Sequence, residues 1–431
     1  MNLLVSPSHD EVPINGGSQA SVSLAPTGEA KIAAQPSVAR HFTARLYFGI
    51  EALETIWRDW QETGHCTAFQ RFEWIFSLVN NLVRRDKSQP LIVMISETAS
   101  NQPVMLVPLV LRRRYGVRAI EWLGLGVCDY AAPVLAPGAE FRASEASMLW
   151  SAVRSALPAA DLIRIKGIPE HIRGAKNPFA CLPGVRAADQ KAFSIEIEGD
   201  PETLLKRVCG SSFLRNLQKE RRRLAKIGEV KFVAAKTNEE VEEIFSVLLE
   251  QRRRRFEEMG RFNFVAQPAV SAFYKDAAIS GLNAGGGAKI FGLSVNGEWI
   301  ATAYCLVHQK SVTTVMSGMA GQSWQAFSPG VQIMAQTMIW AREQGHDCFD
   351  LSVGDLSYKK EMGMRAQELL DFCEPLTLRG VLSLGLDRIQ INAKGWLRQK
   401  SVFFDHARRA RRAIRKGIGR LTAFGSKQRN G

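Results

Sequence analysis

The stretch of sequence that decides the fold is residues 311–359, SVTTVMSGMAGQSWQAFSPGVQIMAQTMIWAREQGHDCFDLSVGDLSYK. An apolar β-type run (311–320) is followed by a loop that ends at Ser328-Pro329-Gly330. A helical stretch (331–343) and a short strand (348–353) come next. The first turn of a helix has unpaired N–H donors and the positive end of the helix dipole, so this order of elements can present donors to an anion. The stretch therefore predicts a transferase site for a donor that carries phosphate.

The start of this helix is the predicted anion site. Pro329 suits the first position of a helix, and Gly330 lets a ligand approach the backbone closely. The alternative is an ordinary helix cap, because Ser before Pro-Gly caps helices in many proteins. The strand before this turn and the Gly354-Asp355 turn after it favour donor binding. The predicted donor-binding residues here are Ser328, Pro329, Gly330, Val331 and Gln332.

Length and composition set the class of protein. A chain of 431 residues is too long for one ordinary core and predicts two units plus tails. No apolar run approaches the roughly 18–20 residues that span a bilayer, and a secretory signal is not expected at the N-terminus. The seven cysteines are scattered and odd in number, which favours reduced thiols in a cytoplasm over a disulfide framework. The seven histidines show no metal-binding spacing, so no metal is expected.

The net charge of +14 is concentrated at the C-terminal end. Residues 392–431 hold twelve Lys or Arg and one acidic residue, Asp405. Apolar residues from Phe403 to Phe424 recur every three or four positions, which predicts a basic amphipathic helix; the alternative is a disordered basic tail. Such a helix would bind the anionic inner face of a membrane reversibly. Residues 1–40 lack periodicity and are predicted to be disordered.

The remaining chain shows two units with the same order of elements, helices before strands. The first unit is predicted at 45–185 and the second at 190–380. Asn296-Gly297, between two strand-like runs, is a strong hairpin signal. The predicted helices are 51–62, 73–84, 144–157, 201–227, 239–260, 269–281 and 331–343. The predicted strands are 91–97, 104–112, 119–125, 162–166, 289–295, 299–308, 311–320 and 348–353.

Several short motifs, in order, resemble the GNAT acyltransferase superfamily, and more narrowly the CelD/BcsL-type acetyltransferases of bacterial exopolysaccharide and cellulose biosynthesis. Those proteins are similar to the Fem aminoacyl transferases in carrying two GNAT-like units. The resemblance spans about residues 45–378. Its motifs are Thr67-Ala68-Phe69-Gln70 with Trp74, Asp129-Tyr130, the arginine-rich helix 213–228, Gln251-Arg252-Arg253, Ser328-Pro329-Gly330, and Phe349-Asp350 through Gly354-Asp355 to Tyr358-Lys359.

The resemblance implies a fold of two tandem GNAT-like units, each a mixed, mostly antiparallel sheet flanked by helices. It also implies acetyl-CoA as the acyl donor, with the thioester between splayed strands near Ser317, Gly318 and Met319. Asp355 would act as a general base, and Tyr358 would protonate the leaving thiolate. The alternatives are a helix cap for Asp355 and a packed aromatic for Tyr358.

Basic residues are the predicted contacts to an anionic acceptor. Arg222 lies in the basic helix, Arg253 lies in a second cluster, and Lys359 follows Tyr358. A solvated surface face is the alternative for all three. Neither cluster has the interleaved aromatics of a single-strand nucleic-acid site, so nucleic acid is not expected as a partner.

The sequence leaves three functions open. The first is acetyl transfer to an amine or hydroxyl of a polysaccharide-pathway intermediate. The second is a Fem-like transfer that depends on aminoacyl-tRNA, which would need a larger basic surface. The third is a GNAT fold without catalysis, acting as a binding component of a membrane polysaccharide-synthesis complex. Binding of CoA separates the first from the other two.

Overall fold

Two large β-sheets flanked by helices make up most of the fold, and each half of the chain supplies most of one large sheet. A separate two-stranded sheet pairs His171–Ile172 with Ala175–Lys176. The computed structural model describes residues 40–321 and 323–386, so the predicted N-terminal segment up to residue 39 and the predicted tail, 392–431, lie outside the described residues. The first half contributes strands β1 (Phe42–Tyr47), β2 (Gln89–Glu97), β3 (Pro103–Arg114), β4 (Val117–Trp122), β5 (Val134–Leu135), β6 (Leu162–Pro169), β7 (His171–Ile172), β8 (Ala175–Lys176) and β9 (Arg186–Ala187). Its helices are α1 (Glu54–Thr63), α2 (Phe72–Leu78, continued by a π-helical turn, Val79–Val83) and α3 (Ala146–Ala156).

The second half follows the same plan with longer helices. Its strands are β10 (Ala192–Glu196), β11 (Val230–Ala234), β12 (Gly287–Val295), β13 (Glu298–His308), β14 (Ser311–Met319), β15 (Cys348–Val353), β16 (Arg365–Gln367) and β17 (Leu369–Pro375). Its helices are α4 (Leu204–Val208), α5 (Ser211–Ile227), α6 (Asn238–Glu258), α7 (Pro268–Asn283), α8 (Pro329–Glu343) and α9 (Ser357–Glu361). A further helical segment occupies 378–386. No helix in the described ranges is long and apolar enough to cross a membrane.

Both sheets are mostly antiparallel. The first has the order β1-β2-β3-β4-β6-β17-β9, with β5 paired to β3, and only β4 and β6 run parallel. The second has the order β11-β12-β13-β14-β15-β10-β16, and only β14 and β15 run parallel. The predicted fold class, two mixed and mostly antiparallel sheets flanked by helices, is therefore confirmed.

The apolar strands of the first sheet are buried on both faces. Alternate residues of a strand point to opposite faces, so Ile92 of β2 packs in one core while Leu91 and Val93 pack in another. This is why β2 and β3 are nearly continuous apolar runs rather than alternating ones.

In the second sheet, the predicted hairpin is present: Asn296 and Gly297 both have positive φ, 49° and 83°, as a two-residue turn requires.

One strand of the second half belongs to the first sheet. β10 pairs with β15 and β16 in the second sheet, and β17, from the end of the second half, pairs with β6 in the first sheet. The predicted division into units 45–185 and 190–380 therefore differs from the sheet membership of β17. An unpaired β6 would present an open edge of backbone donors and acceptors, and β17 closes that edge.

An aromatic cluster joins the halves through their interior. Trp74 of α2 packs against Phe273 and Tyr274 of α7, with ring centroids 4.6 and 5.7 Å apart. Tyr304 of β13 lies 5.2 Å from Tyr274 and donates a hydrogen bond to its carbonyl. Residues of both halves thus share one hydrophobic core, and this core holds the first half against the second sheet.

Candidate functional site

Strands β14 and β15 pair briefly and then separate. Their parallel register runs only from Ser311↔Cys348 to Thr313↔Asp350. Beyond it, β14 remains paired with β13 as far as Met319, and β15 remains paired with β10 as far as Val353. The two strands therefore form a wedge that is open at their C-terminal ends, as the position proposed for a thioester requires.

One face of this wedge is closed by α6. A Cβ atom at Gly318 would lie 2.7 Å from the side-chain oxygens of Gln251 and Thr302. The carbonyl of Ser317 accepts a hydrogen bond from Arg252 of α6 at 3.3 Å. Met319 instead reaches α8, because its methyl carbon would lie 2.8 Å from a Cβ atom at Gly330. The space left for a donor near Ser317, Gly318 and Met319 is thus on the α8 side of the sheet.

The start of α8 has fewer free amides than the sequence predicts. Ser328 is in the left-handed region (φ 51°), and its carbonyl accepts from the amides of Val331 and Gln332 at 3.0 and 3.1 Å. Its own amide donates to Gln325. Pro329 has no N–H, so in this described turn only the amide of Gly330 makes no backbone hydrogen bond. With Ser328 in this conformation the turn offers one free amide, at Gly330, and donor binding at Ser328–Gln332 stays a prediction.

The basic helix α5 lies beside this turn. The buried side chain of Gln332 donates to the carbonyl of Leu217 in α5 at 3.0 Å. The guanidinium of Arg223 sits over the ring of Phe327, 4.7 Å from its centroid, one residue before Ser328. Arg222 is exposed on the same helix. The structure therefore places Arg223 next to the predicted donor site, and its neighbour on α5 is Arg222, which the sequence assigned to the acceptor.

The other two basic residues that the sequence singled out already have protein partners. Arg253 is exposed and forms ion pairs with Glu250 and Glu257 of its own helix, at 2.7 and 2.8 Å. Lys359 is buried, and its ammonium donates to the carbonyls of residues 351, 352 and 353 at 2.8–3.1 Å. Burial lowers the pKa of Lys359 to about 8. All three of its donors are used, so the predicted phosphate contact is not supported; Lys359 instead ties α9 to the end of β15.

The two predicted catalytic residues lie in different surroundings. Asp355 is exposed, and its carboxylate pairs with Lys360 at 2.9 Å. It does not cap α9, whose capping position is Leu356. Tyr358 is half-buried against the core on the α8 side of the sheet, and burial raises the pKa of its phenol. Tyr358 is therefore neutral at physiological pH and able to donate a proton.

A buried polar cluster that the sequence did not single out as a site joins the two halves behind the wedge. The hydroxyl of Tyr130 donates to the Asp350 carboxylate at 2.7 Å, and the amide of Ser352 donates to the same carboxylate at 2.6 Å. The hydroxyl of Ser352 donates to Asp129 at 2.5 Å. Ser352 has a positive φ of 54°, a strained conformation for a residue with a side chain, of the kind found at functional sites.

Burial controls the proton affinity of this cluster. It raises the pKa of Asp350 to about 6, although the hydrogen bonds from Tyr130 and Ser352 oppose the shift. Burial also raises the pKa of Asp129, and that of Tyr130 well above its usual value. Asp350 is thus a carboxylate whose proton affinity suits base catalysis near neutral pH.

Asp350 and Tyr130 line a cavity of about 580 Å³ between the halves. Because alternate strand residues share a face, polar side chains of β14, β15 and β10 line it, while Val312, Phe349 and Phe193 point to the opposite core. The polar residues on this face of the second sheet are Ser311, Thr313, Cys348, Asp350, Ser194 and Glu196. The first half adds Thr67, Tyr130, His171 and Arg173. The cavity has the size and polarity to hold a small polar acceptor.

A second buried pair near this cavity is not a nucleophile. His308 Nε2 lies 3.3 Å from the Cys66 sulfur. Burial raises the pKa of Cys66 to about 12 and lowers that of His308 to about 3, so both are neutral. In the described part of the chain, no group of three His, Cys, Asp or Glu side chains is placed to hold a metal ion.

Comparisons with known proteins agree with this geometry. A family model described as an acetyltransferase (GNAT) domain matches residues 211–360, which include α5, the wedge and α9. A search of the curated proteins found no match. The second half thus carries a GNAT acetyltransferase domain, and the chain is an acyltransferase by class.

Solved structures extend the likeness over both halves. The crystal structure of FemX has a TM-score of 0.55 at 10% identity, covering 77% of this chain and 97% of that chain. A tandem GNAT protein from the clavulanic acid biosynthesis pathway has a TM-score of 0.42 at 10% identity, covering 78% and 98%. L-PGS from Bacillus licheniformis has a TM-score of 0.43 at 11% identity, covering 74% and 96%. The likeness to FemX shows that this chain, over 77% of its length, has the fold of that protein.

Proposed function

We propose that the protein transfers an acyl group, with acetyl-CoA as the donor, to an amine or hydroxyl of a polar acceptor. The observation that carries this proposal is the wedge between β14 and β15, with the start of α8 on one side and the cavity at Asp350 on the other. A donor in the wedge and an acceptor in the cavity would meet at the place where the two strands separate.

The α8 side of the sheet supplies the donor contacts in this proposal. The amide of Gly330 and the arginines of α5, Arg222 and Arg223, would contact the phosphates, because a helix start and guanidinium groups both favour anions. Tyr358 lies on the same side of the sheet and would donate a proton to the leaving thiolate. Its neutral phenol, with a pKa raised by burial, suits that role.

The cavity side supplies the acceptor contacts. Asp350 would accept the proton that the acceptor loses as it attacks, and Tyr130 would hold that carboxylate in place through its 2.7 Å hydrogen bond. Asp355, the base that the sequence predicts, is exposed and paired with Lys360, which favours Asp350 for the role. The polar lining and the resemblance to CelD/BcsL-type proteins support a polysaccharide precursor as the acceptor. The seven cysteines are odd in number and scattered along the sequence, which supports a cytoplasmic reaction.

Calorimetry with acetyl-CoA tests the donor. We expect the full chain to bind acetyl-CoA, and Arg222→Gln/Arg223→Gln to weaken binding at least fivefold through the loss of two cations near the phosphates. Arg253→Gln/Arg254→Gln is the matched control, because it removes the same charge from α6, where Arg253 and Arg254 pair with Glu250. Absence of acetyl-CoA binding would reject this donor. Turnover of an aminoacyl-tRNA instead would identify the Fem-like alternative.

A further inference from the structure

One end of the first sheet gathers chain segments that are distant in sequence. The register pairs Tyr47, at the end of β1, with Ile92, and Gln89, at the start of β2, with Leu111 of β3. Leu162, at the start of β6, pairs with both β4 and the last residue of β17. The turn 84–87, the hairpin 112–118 and the helical segment 378–386 therefore lie at the same end of the sheet. We call these three segments together the basic sheet end.

Positive charge dominates this surface. The turn and the hairpin hold seven Lys or Arg and one acidic residue, Asp86. Asp86 is engaged by Arg112 at 2.9 Å and by Arg114 at 3.8 Å, so it offsets only part of the charge. Arg379 adds a further cation on the helical segment. The basic residues of the turn and hairpin are Arg84, Arg85, Lys87, Arg112, Arg113, Arg114 and Arg118.

Large apolar side chains project from the same surface. Tyr115, at the tip of the hairpin, is fully exposed in a left-handed conformation (φ 50°). On the helical segment, Leu378 is 83% exposed and Leu382 is 68% exposed. With Leu386, also exposed, they are spaced four residues apart and share one face of the helix. Exposed leucines aligned in this way need a partner, because each retains apolar area in water.

A groove separates the helical segment from the sheet. It has a volume of about 830 Å³ and lies between Val117, Ala119 and Leu162 of the sheet and Leu382 and Leu386 of the helix. Four arginines and one acidic residue line the same groove: Arg112, Arg114, Arg164 and Arg379, with Glu121, which pairs with Arg112 and Arg164. An apolar floor under a lining of net positive charge matches a phospholipid, whose acyl part is apolar and whose head group is anionic.

We propose that the basic sheet end docks on the surface of an anionic phospholipid membrane. Tyr115, Leu378 and Leu382 enter the interface between head groups and acyl chains, and the surrounding arginines contact the lipid phosphates. The sequence continues after residue 386 through 387–431, in which residues 392–431 hold twelve Lys or Arg and one Asp. Charge of the same sign thus continues from the folded surface into the adjoining chain, and an anionic surface complements both.

Vesicle co-sedimentation of the full chain tests this docking. We use phosphatidylcholine vesicles with 30% phosphatidylserine, and pure phosphatidylcholine vesicles for comparison. Wild-type protein is expected to bind only the anionic vesicles. Tyr115→Ser/Leu378→Ser/Leu382→Ser removes the inserted side chains without changing charge, and should weaken that binding at least tenfold. The three side chains are exposed, so unfolding temperature should be unchanged.

A matched variant distinguishes membrane insertion of these three side chains from a general loss of exposed apolar surface. Ile227→Ser/Phe262→Ser removes two exposed apolar side chains of the second half and should leave vesicle binding at the wild-type level. Wild-type protein that fails to bind anionic vesicles, or a triple variant that binds as wild type does, would overturn the proposal. A wild-type dimer that the triple variant converts to a monomer, with vesicle binding unchanged, would also overturn it and assign the surface to a second copy of the chain.

Discussion

Asp350 and Asp355 lie five residues apart, on opposite sides of the end of β15, and their surroundings assign them different chemistry. Asp350 is buried, is held by Tyr130 and Ser352, and opens on the cavity between the halves. Asp355 is in solvent beside Lys360. A base must contact the acceptor and must be partly shielded from water to have a useful proton affinity, and Asp350 meets both conditions.

Substitution of the two carboxylates should separate their roles. We expect Asp350→Asn to lower kcat by about 10²–10⁴-fold, the usual contribution of a general base, and Asp355→Asn to lower it much less. With wild-type protein, kcat/KM should rise as pH increases through about 6, because the pKa of Asp350 is about 6 and the base must be ionised. This limb of the pH profile should be absent in Asp350→Asn. Equal losses of kcat in the two variants would assign the general-base role to Asp355.

Tyr358→Phe tests whether Tyr358 donates the proton to the leaving thiolate. Phenylalanine keeps the packing of the ring against the core but cannot protonate the thiolate. We expect kcat to fall by about 10²-fold or more while the affinity for acetyl-CoA, measured by calorimetry, stays unchanged. A weaker affinity with unchanged kcat would mean that Tyr358 only shapes the donor site.

Gly330 tests the position of the donor itself. A branched side chain there would push into the methyl group of Met319, whose Cε would lie 2.8 Å from the added Cβ, and would cover the free amide of the turn. We therefore expect Gly330→Val to weaken acetyl-CoA binding by at least tenfold in calorimetry. Gly345→Ala is a control at the far end of α8, where an added Cβ meets open space but the positive φ of 80° costs some stability. Unchanged affinity in a folded Gly330→Val protein would place the donor elsewhere.

At the scale of elements, the sequence predicted the strands and helices of the second half that have a strong hydrophobic periodicity. Strand β15 and helix α8 were predicted at their observed bounds, within two residues. The long helix predicted at 201–227 is interrupted at Cys209-Gly210, because Gly210 adopts an extended conformation before α5. β10 and β17 were not predicted, since the partner strands of each are distant in sequence. Long-range pairing of that kind leaves no local signal.

The candidate site was predictable only in part for the same reason. The wedge and α8 come from one continuous stretch, so their order could be deduced from it. The Tyr130–Asp350 contact joins residues 220 positions apart; each lies in a motif that the sequence shows, but no local pattern indicates that they meet. A sequence motif predicted that Lys359 contacts a ligand. In the folded protein its ammonium donates instead to three backbone carbonyls.

The contact between α2 and β13 gives an energetic test at this scale. Arg71, which precedes α2, is buried and pairs with Glu62 at 2.9 Å and Glu73 at 3.3 Å; it also donates to His308 of β13 at 3.2 Å. Arg71→Met should lower the free energy of unfolding by about 1–3 kcal/mol, because the buried Glu73 and His308 lose a hydrogen-bond donor while Arg58 still pairs with Glu73. Arg84→Met, which removes an exposed pair with Glu51, should cost about 0–1 kcal/mol. Denaturant unfolding measures both.

At the scale of the whole molecule, β17 couples the two halves. It completes the first sheet although it follows every other strand of the second half. The first sheet therefore depends on a strand that the second half supplies. The shared aromatic core around Trp74 and Tyr304 adds a second link. We therefore expect one cooperative unfolding transition rather than two.

Phe372 of β17 tests this coupling, because it belongs to the second half by sequence and to the first half by packing. Its ring lies 5.0 Å from Trp150 of α3, in the core of the first sheet. Phe372→Ala should lower the free energy of unfolding by about 3–5 kcal/mol while the transition stays single. Hydrogen exchange should quicken first in β6, the strand that β17 covers. Ala366→Ser, an exposed change on β16, is the control and should have little effect. Two separate transitions in the wild-type chain, or faster exchange confined to the second sheet, would show that the halves fold independently.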